Sequence, residues 1–194
     1  MKKIFIVTII VILITSACNN DFVPKPKGYN YIVLPEHQYE RIPNEYPYSF
    51  NKNTAAVIKR DSSGIAEPYW IHLFYPDLNA DIQITYKRIN NDSTLLREYI
   101  GDAFKLTSKH QVKATGISEV IDTLETGKVA VYALIQGEVP SQVQFFVTDS
   151  TENFFRGAMY FPIATKSDSL KPSVNYLKED INVLLNSLEW REVD

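Results

Sequence analysis

The chain lacks the residue patterns on which most catalytic and cofactor sites depend. It has one cysteine in 194 residues, so it cannot form an internal disulfide, and its seven glycines make no nucleotide-binding loop. Its histidines, His37, His72 and His110, are too widely spaced for a zinc-binding pair on one helix. Lysine and arginine are not clustered, which argues against nucleic acid. We therefore expect no cofactor, no metal ion and no nucleic-acid partner.

The single cysteine stands where an exported protein would be lipidated. The chain begins MKKIFIVTIIVILITSAC, in which two lysines precede an apolar run, Ile4 to Ile14, that is too short to cross a bilayer. The small residues Ser16 and Ala17 then lead directly to Cys18. Exported cysteines normally pair, so a lone one at a cleavage boundary has another use. We predict that residues 1–17 are a signal peptide and that lipid on Cys18 anchors the chain to a membrane.

The residues around Cys18 refine this prediction. Thr15 occupies the position three residues before the cysteine where lipoprotein signals usually have leucine, so the signal is a loose version of the pattern. Asn19 follows the cysteine where aspartate would favour retention, which predicts the periplasmic face of the outer membrane. Removing residues 1–17 leaves 177 residues with 18 basic and 23 acidic side chains. That length is enough for one domain with a proper core.

Two segments precede the predicted domain. Residues 18–28 are polar and contain prolines, which is typical of a short tether. Residues 29–53 are rich in tyrosine and proline, which prevents a helix and interrupts strand pairing. We expect this arm to be extended and either draped over the domain or presented to a partner. The aromatic residues of the arm that we predict to contact a partner are Tyr39, Tyr46, Tyr48 and Phe50.

Residues 54–194 alternate between strand and helix patterns. Strands are predicted at 54–59, 69–75, 81–87, 129–135, 143–148 and 154–161, and amphipathic helices at 92–113 and 174–188. Adjacent strands imply hairpins and a mostly antiparallel sheet, so the predicted class is α+β. The strand at 129–135 is apolar on both faces, which predicts a place in the middle of a covered sheet. The order of elements is similar to that of the PsbP-like α/β/α sandwich.

Few residues suggest chemistry in this domain. Asp149, Ser150 and His110 could form a triad only if folding brought them together, and no G-x-S-x-G elbow supports one. Glu179 and Asp180 are typical of the solvated face of a helix. Arg156 is harder to explain, because it lies in the apolar strand FFRGAMYF and a buried charge needs a partner.

Arg156 has two interpretations that the residues alone leave open. One is a structural ion pair, for which the candidate partners are Asp149, Asp168 and Asp180. The other is an arginine that opens into a binding groove, with Phe154 and Arg156 as predicted contacts for a partner.

A succession of short motifs resembles one bacterial family. These motifs are PKPKGY, YPYSF, WIHLFYP, ITYK, HQVKA, QFFVTDS, FFRGAMYF and DSLKP, and they span nearly the whole mature chain in order. Together they resemble the gliding motility lipoprotein GldD family. The resemblance implies an envelope lipoprotein of gliding Bacteroidota, needed for gliding and for the associated type IX secretion machinery, that supports another lipoprotein such as GldJ. It carries over no catalytic residues.

The sequence therefore favours a lipoprotein without catalytic activity that binds or stabilises a protein partner. The alternative is a small-ligand-binding or hydrolytic lipoprotein of the periplasm with a pocket near Arg156, His110 and Asp149. The two differ in geometry: the alternative requires these polar groups to converge in a concave pocket.

Overall fold

The structure is a computed structural model that describes residues 33–162 and 167–192. The predicted signal peptide, the lipidated Cys18 and the tether lie outside the described residues. Within the described residues, no helix is both long enough and apolar enough to cross a bilayer.

One antiparallel sheet of seven strands forms the centre of the fold. The strands of the structure, in chain order, are β1 (Tyr39–Arg41), β2 (Tyr48–Ser49), β3 (Asn51–Asn53), β4 (Val57–Arg60), β5 (Ile71–Tyr75), β6 (Ala80–Arg88), β7 (Ala114–Thr123), β8 (Val129–Gly137), β9 (Val143–Thr148), β10 (Asn153–Tyr160) and β11 (Glu189–Trp190). The large sheet has the order β4-β5-β6-β10-β9-β8-β7, and two small sheets pair β1 with β3 and β11 with β2. Strand β10, which carries Arg156, is thus the central strand.

Two helices cover opposite faces of this sheet. Helix α1 is Ser93–Ser108 and helix α2 is Ser167–Asn186. Along β10, Phe155 packs in the cluster that contains α2, whereas its neighbour Phe154 packs in the cluster that contains α1. Because successive side chains of a strand point to opposite faces, the layers are helix, sheet and helix. The predicted α+β class with two docked helices is confirmed.

Alternation along the strands explains which face each helix covers. In β6, Ala80, Ile82, Ile84 and Tyr86 are buried, and the residues between them are only partly so. The buried set faces α2, whose predicted apolar stripe is also buried: Val174, Leu177, Ile181, Leu184 and Leu188. The opposite face is more polar, and α1 covers it less completely, since Ala103 and Thr107 are the buried residues of that helix.

The tyrosine-rich arm is part of the core on the α2 face. Tyr48 and Phe50 are fully buried, and Tyr46 is 5% exposed. The Tyr48 ring packs edge-on against Phe155 at 5.1 Å, and its hydroxyl donates a hydrogen bond of 2.6 Å to the Tyr69 carbonyl. The described part of the arm is therefore draped over the sheet, which was one of the two arrangements expected.

Two features of the sheet differ from the sequence prediction. Strand β7 was not predicted, because most of its side chains are exposed and it has no consistent apolar face. Because β7 forms the edge, β8 is an interior strand with a partner on each side, as predicted for 129–135, but it lies second from the edge and not at the centre of the sheet. Strand β8 is still well buried at Ala130 and Ile135, because a second-position strand is covered on both faces along part of its length.

Candidate functional site

A buried carboxylate fastens the arm to helix α2. Asp180 is 3% exposed, and its Oδ1 accepts a hydrogen bond of 3.0 Å from the Tyr39 hydroxyl and lies 2.9 Å from His37 Nδ1. Its Oδ2 accepts a hydrogen bond of 2.9 Å from the Tyr75 hydroxyl. Asn53 Nδ2 donates to both carboxylate oxygens at 3.0 and 3.1 Å. Four side chains from the arm and the sheet thus converge on one residue of the helix.

This cluster corrects the prediction for the polar side of α2. Glu179 is exposed as expected, but Asp180 is buried because the arm covers it and supplies hydrogen-bond donors. Burial, and then the negative charge of Asp180, raise the pKa of the Tyr39 and Tyr75 hydroxyls above their ordinary values. Both hydroxyls therefore stay protonated and can donate, which makes the cluster a structural fastening.

Arg156 lies on the other face of the sheet, opposite Thr85 of β6 and Phe146 of β9. Its Nη2 donates a hydrogen bond of 2.6 Å to Gln144 Oε1. Burial lowers the pKa of its guanidinium from the ordinary value, although an arginine still remains charged. The Arg156 side chain is partly buried, and a buried position was expected from its place in an apolar strand.

The predicted ion pair of Arg156 is wrong for two of its three candidate partners. Among the described residues, no carboxylate lies within 4.0 Å of the guanidinium. Asp180 is on the opposite face, and Asp149 is held at the β9–β10 turn by backbone N–H groups. The side chain of Asp168 lies outside what the structure describes. The neutral amide of Gln144 occupies the place predicted for a carboxylate.

Arg156 opens into a cavity of about 620 Å³ between α1 and the sheet. His110, which follows α1, lines the same cavity, and burial and then the charge of Arg156 lower its pKa below the ordinary value. Lys87, Tyr99 and Lys109 also line it. Two of the three residues in the predicted ligand pocket, Arg156 and His110, are thus brought together.

The third residue of that predicted pocket is elsewhere. Asp149 lines a different cavity, near Tyr86 and Trp190. Burial raises the pKa of Asp149, but hydrogen bonds from Asn153 and from backbone N–H groups outweigh burial and lower that pKa below its ordinary value. Ser150 follows in the same turn with φ of +66° and is exposed. Asp149, Ser150 and His110 therefore form no triad, and the hydrolytic part of the alternative loses its geometric basis.

The structure also corrects the predicted contact surface for a partner. Tyr46, Tyr48, Phe50 and Phe154 are each at most 5% exposed, because they pack in the two hydrophobic clusters. Their rings offer almost no area to another protein in this fold. Tyr39 and Arg156 are partly exposed, so a contact role for these two stays a prediction.

Strand β7 is a surface that the sequence did not indicate. It has ten residues, and among the described residues it pairs with β8 alone. Val120 is 44% exposed and Ile121 is 75% exposed. An edge strand has one row of backbone N–H and C=O groups without strand partners, which can pair with another chain. The only signal in the sequence was its β-branched residues, which lack the alternation that a half-buried strand shows.

Comparisons with known proteins identify a family for this chain. The model of the family described as gliding motility lipoprotein GldD matches residues 19–190. No curated protein matches the chain. Among solved structures, the solution structure of cyanobacterial PsbP (CyanoP) from Synechocystis sp. PCC 6803 is similar at 10% identity, with a TM-score of 0.49, over 81% of this chain and 95% of that one.

The fold defines a class first: a two-helix, seven-stranded antiparallel α+β domain. Because the family model covers most of its length, the chain belongs to the gliding motility lipoprotein GldD family, which confirms the resemblance found in the sequence. Membership in this family makes it a lipid-anchored protein of the cell envelope with a role in gliding motility.

Proposed function

We propose that this protein supports gliding motility and the associated type IX secretion apparatus by binding and stabilising another lipoprotein of that apparatus, with GldJ as the candidate partner. The proposed role is to hold a partner and involves no catalysis. It rests on family membership for the process, and on one structural feature, the free edge of β7, for the mode of binding.

The exposed edge of β7 supports binding by strand addition. In this mode an extended segment of the partner pairs with the edge through backbone hydrogen bonds, and exposed side chains such as Val120 and Ile121 supply apolar contacts. Natural proteins usually keep exposed edge strands short or protect them with charges. The two edges of the sheet differ in length, because β4 has four residues and β7 has ten, although both contain exposed charges, Lys59 and Arg60 in β4 and Glu119 and Asp122 in β7.

Two side chains predicted to contact a partner remain part of the proposal. Tyr39 and Arg156 are partly exposed and lie on opposite faces of the domain. The Tyr39 hydroxyl already donates a hydrogen bond to Asp180, so we assign Tyr39 only a secondary contact with the partner. The main surface that we propose is β7.

We further propose that the anchor is lipid on Cys18 and that the domain faces the periplasm from the outer membrane. The apolar run before Cys18 and Asn19 after it support this placement. Residues 19–32 would then connect the lipid to the described domain.

The proposal can be tested with charged substitutions on the two edges of the sheet. The double variant Val120→Lys and Ile121→Lys places two cations on β7, and Val57→Lys, whose valine is 51% exposed, is a control that places one cation on the opposite edge, β4. We expect the β7 variant to abolish gliding and to lower the level of GldJ in cells, because the lysines remove the apolar contacts proposed for Val120 and Ile121. The Val57→Lys chain should behave as wild type.

The readouts are colony spreading and immunoblots for GldJ and for the variant chain itself. Thermal unfolding of each purified variant controls for loss of folding. Normal gliding and normal GldJ in cells that contain the folded β7 variant would refute binding through this edge.

A further inference from the structure

The cavity between α1 and the sheet has the size of a small-molecule site. Its volume of about 620 Å³ lies within the roughly 300–1,000 Å³ typical of ligand pockets. Its lining combines aromatic rings, Trp70 and Tyr99, with polar groups on the sheet. The Trp70 ring is held in place by a hydrogen bond of 3.0 Å from its Nε1 to the Tyr86 carbonyl. This part of the lining is therefore held by the sheet.

The Arg156 guanidinium has unused hydrogen-bonding capacity in this cavity. An arginine carries five N–H donors, and the protein contact of Arg156 among the described residues is the bond to Gln144. Gln144 is itself 3% exposed, and its Oε1 also accepts a hydrogen bond of 3.3 Å from Thr107. The Gln144 amide thus holds Nη2 of the guanidinium, and the remaining N–H donors of Arg156 are available to a ligand in the cavity.

The other charges in the lining do not neutralise Arg156. Lys87 forms an ion pair of 2.8 Å with Glu67, and Asp61 lies 3.8 Å from His72. Asp102 of α1 makes no ion pair with the arginine among the described residues, and Lys109, in the turn after α1, adds a further positive charge to the lining. A partly buried cation without a carboxylate partner is costly unless a ligand completes it.

We propose that this cavity binds a small organic acid, with its carboxylate on Arg156 and its apolar body against the apolar side chains of the lining, such as Leu106. The body does not enter between Trp70 and Tyr99, because the Lys87 ammonium lies 5.8 and 5.0 Å from the centroids of those two rings. A carboxylate matches the planar fork of a guanidinium with two parallel hydrogen bonds. His110 lines the same cavity, and its imidazole can donate or accept one further hydrogen bond. This site is independent of the partner surface on β7 and goes beyond the proposed function.

Calorimetric titration of the full-length chain in detergent tests this site with three matched probes. Phenylacetate carries the carboxylate, phenylacetamide replaces it with a neutral group of the same shape, and phenyl phosphate replaces it with a different anion. We expect phenylacetate to bind saturably with a Kd below roughly 1 mM. Phenylacetamide should bind at least about tenfold more weakly, because it cannot form charge-assisted hydrogen bonds.

Three variants connect the binding to Arg156. Arg156→Gln should weaken phenylacetate binding at least about tenfold, whereas Arg88→Gln, which removes the same charge from an exposed end of β6, should leave it unchanged. Gln144→Glu covers the possibility that Arg156→Gln fails to fold, because it places a carboxylate beside the guanidinium and should block the ligand in a folded chain.

Either of two results would overturn the proposal. The first is phenylacetate binding that is absent, or that persists unchanged in the folded Gln144→Glu chain. The second is binding of phenyl phosphate without phenylacetate, which would exclude a carboxylate ligand.

Discussion

At the scale of single residues, burial decides the role of a charge more than its sequence context does. Asp180 stands in a stretch of α2 that is typical of a solvated face, yet it is the most hydrogen-bonded carboxylate of the arm–helix contact. Arg156 stands in an apolar strand, where a buried charge is expected to pair with a carboxylate. Its hydrogen-bond partner is instead the neutral amide of Gln144. In both cases the deciding neighbour is distant in sequence, so local patterns could not predict it.

The Asp180 cluster predicts a specific loss of stability. Asp180→Asn puts an amide N–H₂ among groups that donate, so at least one buried donor loses its acceptor. We expect the free energy of unfolding to fall by about 1–3 kcal/mol in urea titrations followed by circular dichroism. Glu179→Gln is the control, because that side chain is 62% exposed and its loss should change stability by no more than about 0.5 kcal/mol. Equal effects of the two variants would contradict the fastening role.

Gly157 gives a second prediction at this scale. The Phe145 ring of the neighbouring strand covers this glycine. A Cβ added there would lie 2.6 Å from Cε1 of that ring, so Gly157→Ala should destabilise the domain by about 1–3 kcal/mol.

Gly101→Ala is the matched control for this substitution. A Cβ at position 101 of α1 meets no atom within 4 Å, so the change should stabilise the helix by up to about 1 kcal/mol. Thermal unfolding of the two variants separates the cases, and a fully stable Gly157→Ala chain would show that Phe145 can move aside.

At the scale of elements, the arm behaves as part of the domain. Strands β1 and β3 pair within it, and β2 pairs with β11 at the other end of the chain. Prolines and tyrosines indicated an extended segment correctly, but the pattern carries no information on whether rings face the core or a partner. Full burial of Tyr48 and Phe50 decides for the core.

Because the aromatic rings of the arm are buried, we expect substitutions in the arm to reduce the stability of the domain. The sequence had suggested that they would weaken partner binding. Tyr48→Ala removes a fully buried ring that packs on Phe155, so we expect a loss of about 3–5 kcal/mol in unfolding free energy. Tyr48→Phe keeps the ring and loses the hydrogen bond to the Tyr69 carbonyl, which should cost about 1 kcal/mol. Urea titration measures both. A stable Tyr48→Ala chain would contradict the placement of the arm.

Strands and helices with a buried face were predictable, and those without one were not. The apolar stripe of the C-terminal helix and the alternating residues of β6 are buried, as predicted. An element with one buried face needs apolar residues at the period of that face, so the sequence shows the pattern. Strand β7 has little burial and hence no period, so it was missed. The cavity was predicted in part, because the sequence indicated a pocket with Arg156 and His110. The rest of its lining depends on how α1 covers the sheet, which no local pattern shows.

At the scale of the whole molecule, the account joins a lipid anchor to a domain whose sheet ends in a long, exposed edge strand, β7. The anchor is testable through Cys18, which lies outside the described residues. Cys18→Ala should abolish labelling by an alkyne analogue of palmitate and release the chain from membranes. Thr15→Leu restores the usual signal and should label at least as well as wild type. Persistent labelling and membrane association of Cys18→Ala would refute lipidation at this residue.

The central claim is that β7 holds the partner, and site-specific photo-crosslinking in living cells tests it most directly. A photoreactive amino acid replaces Ile121 on β7 or, as the control, Val57 on β4, both of which are exposed. The account predicts an adduct between this chain and GldJ from position 121 and none from position 57. An adduct from position 57 alone, or from neither position in cells that still glide, would contradict it.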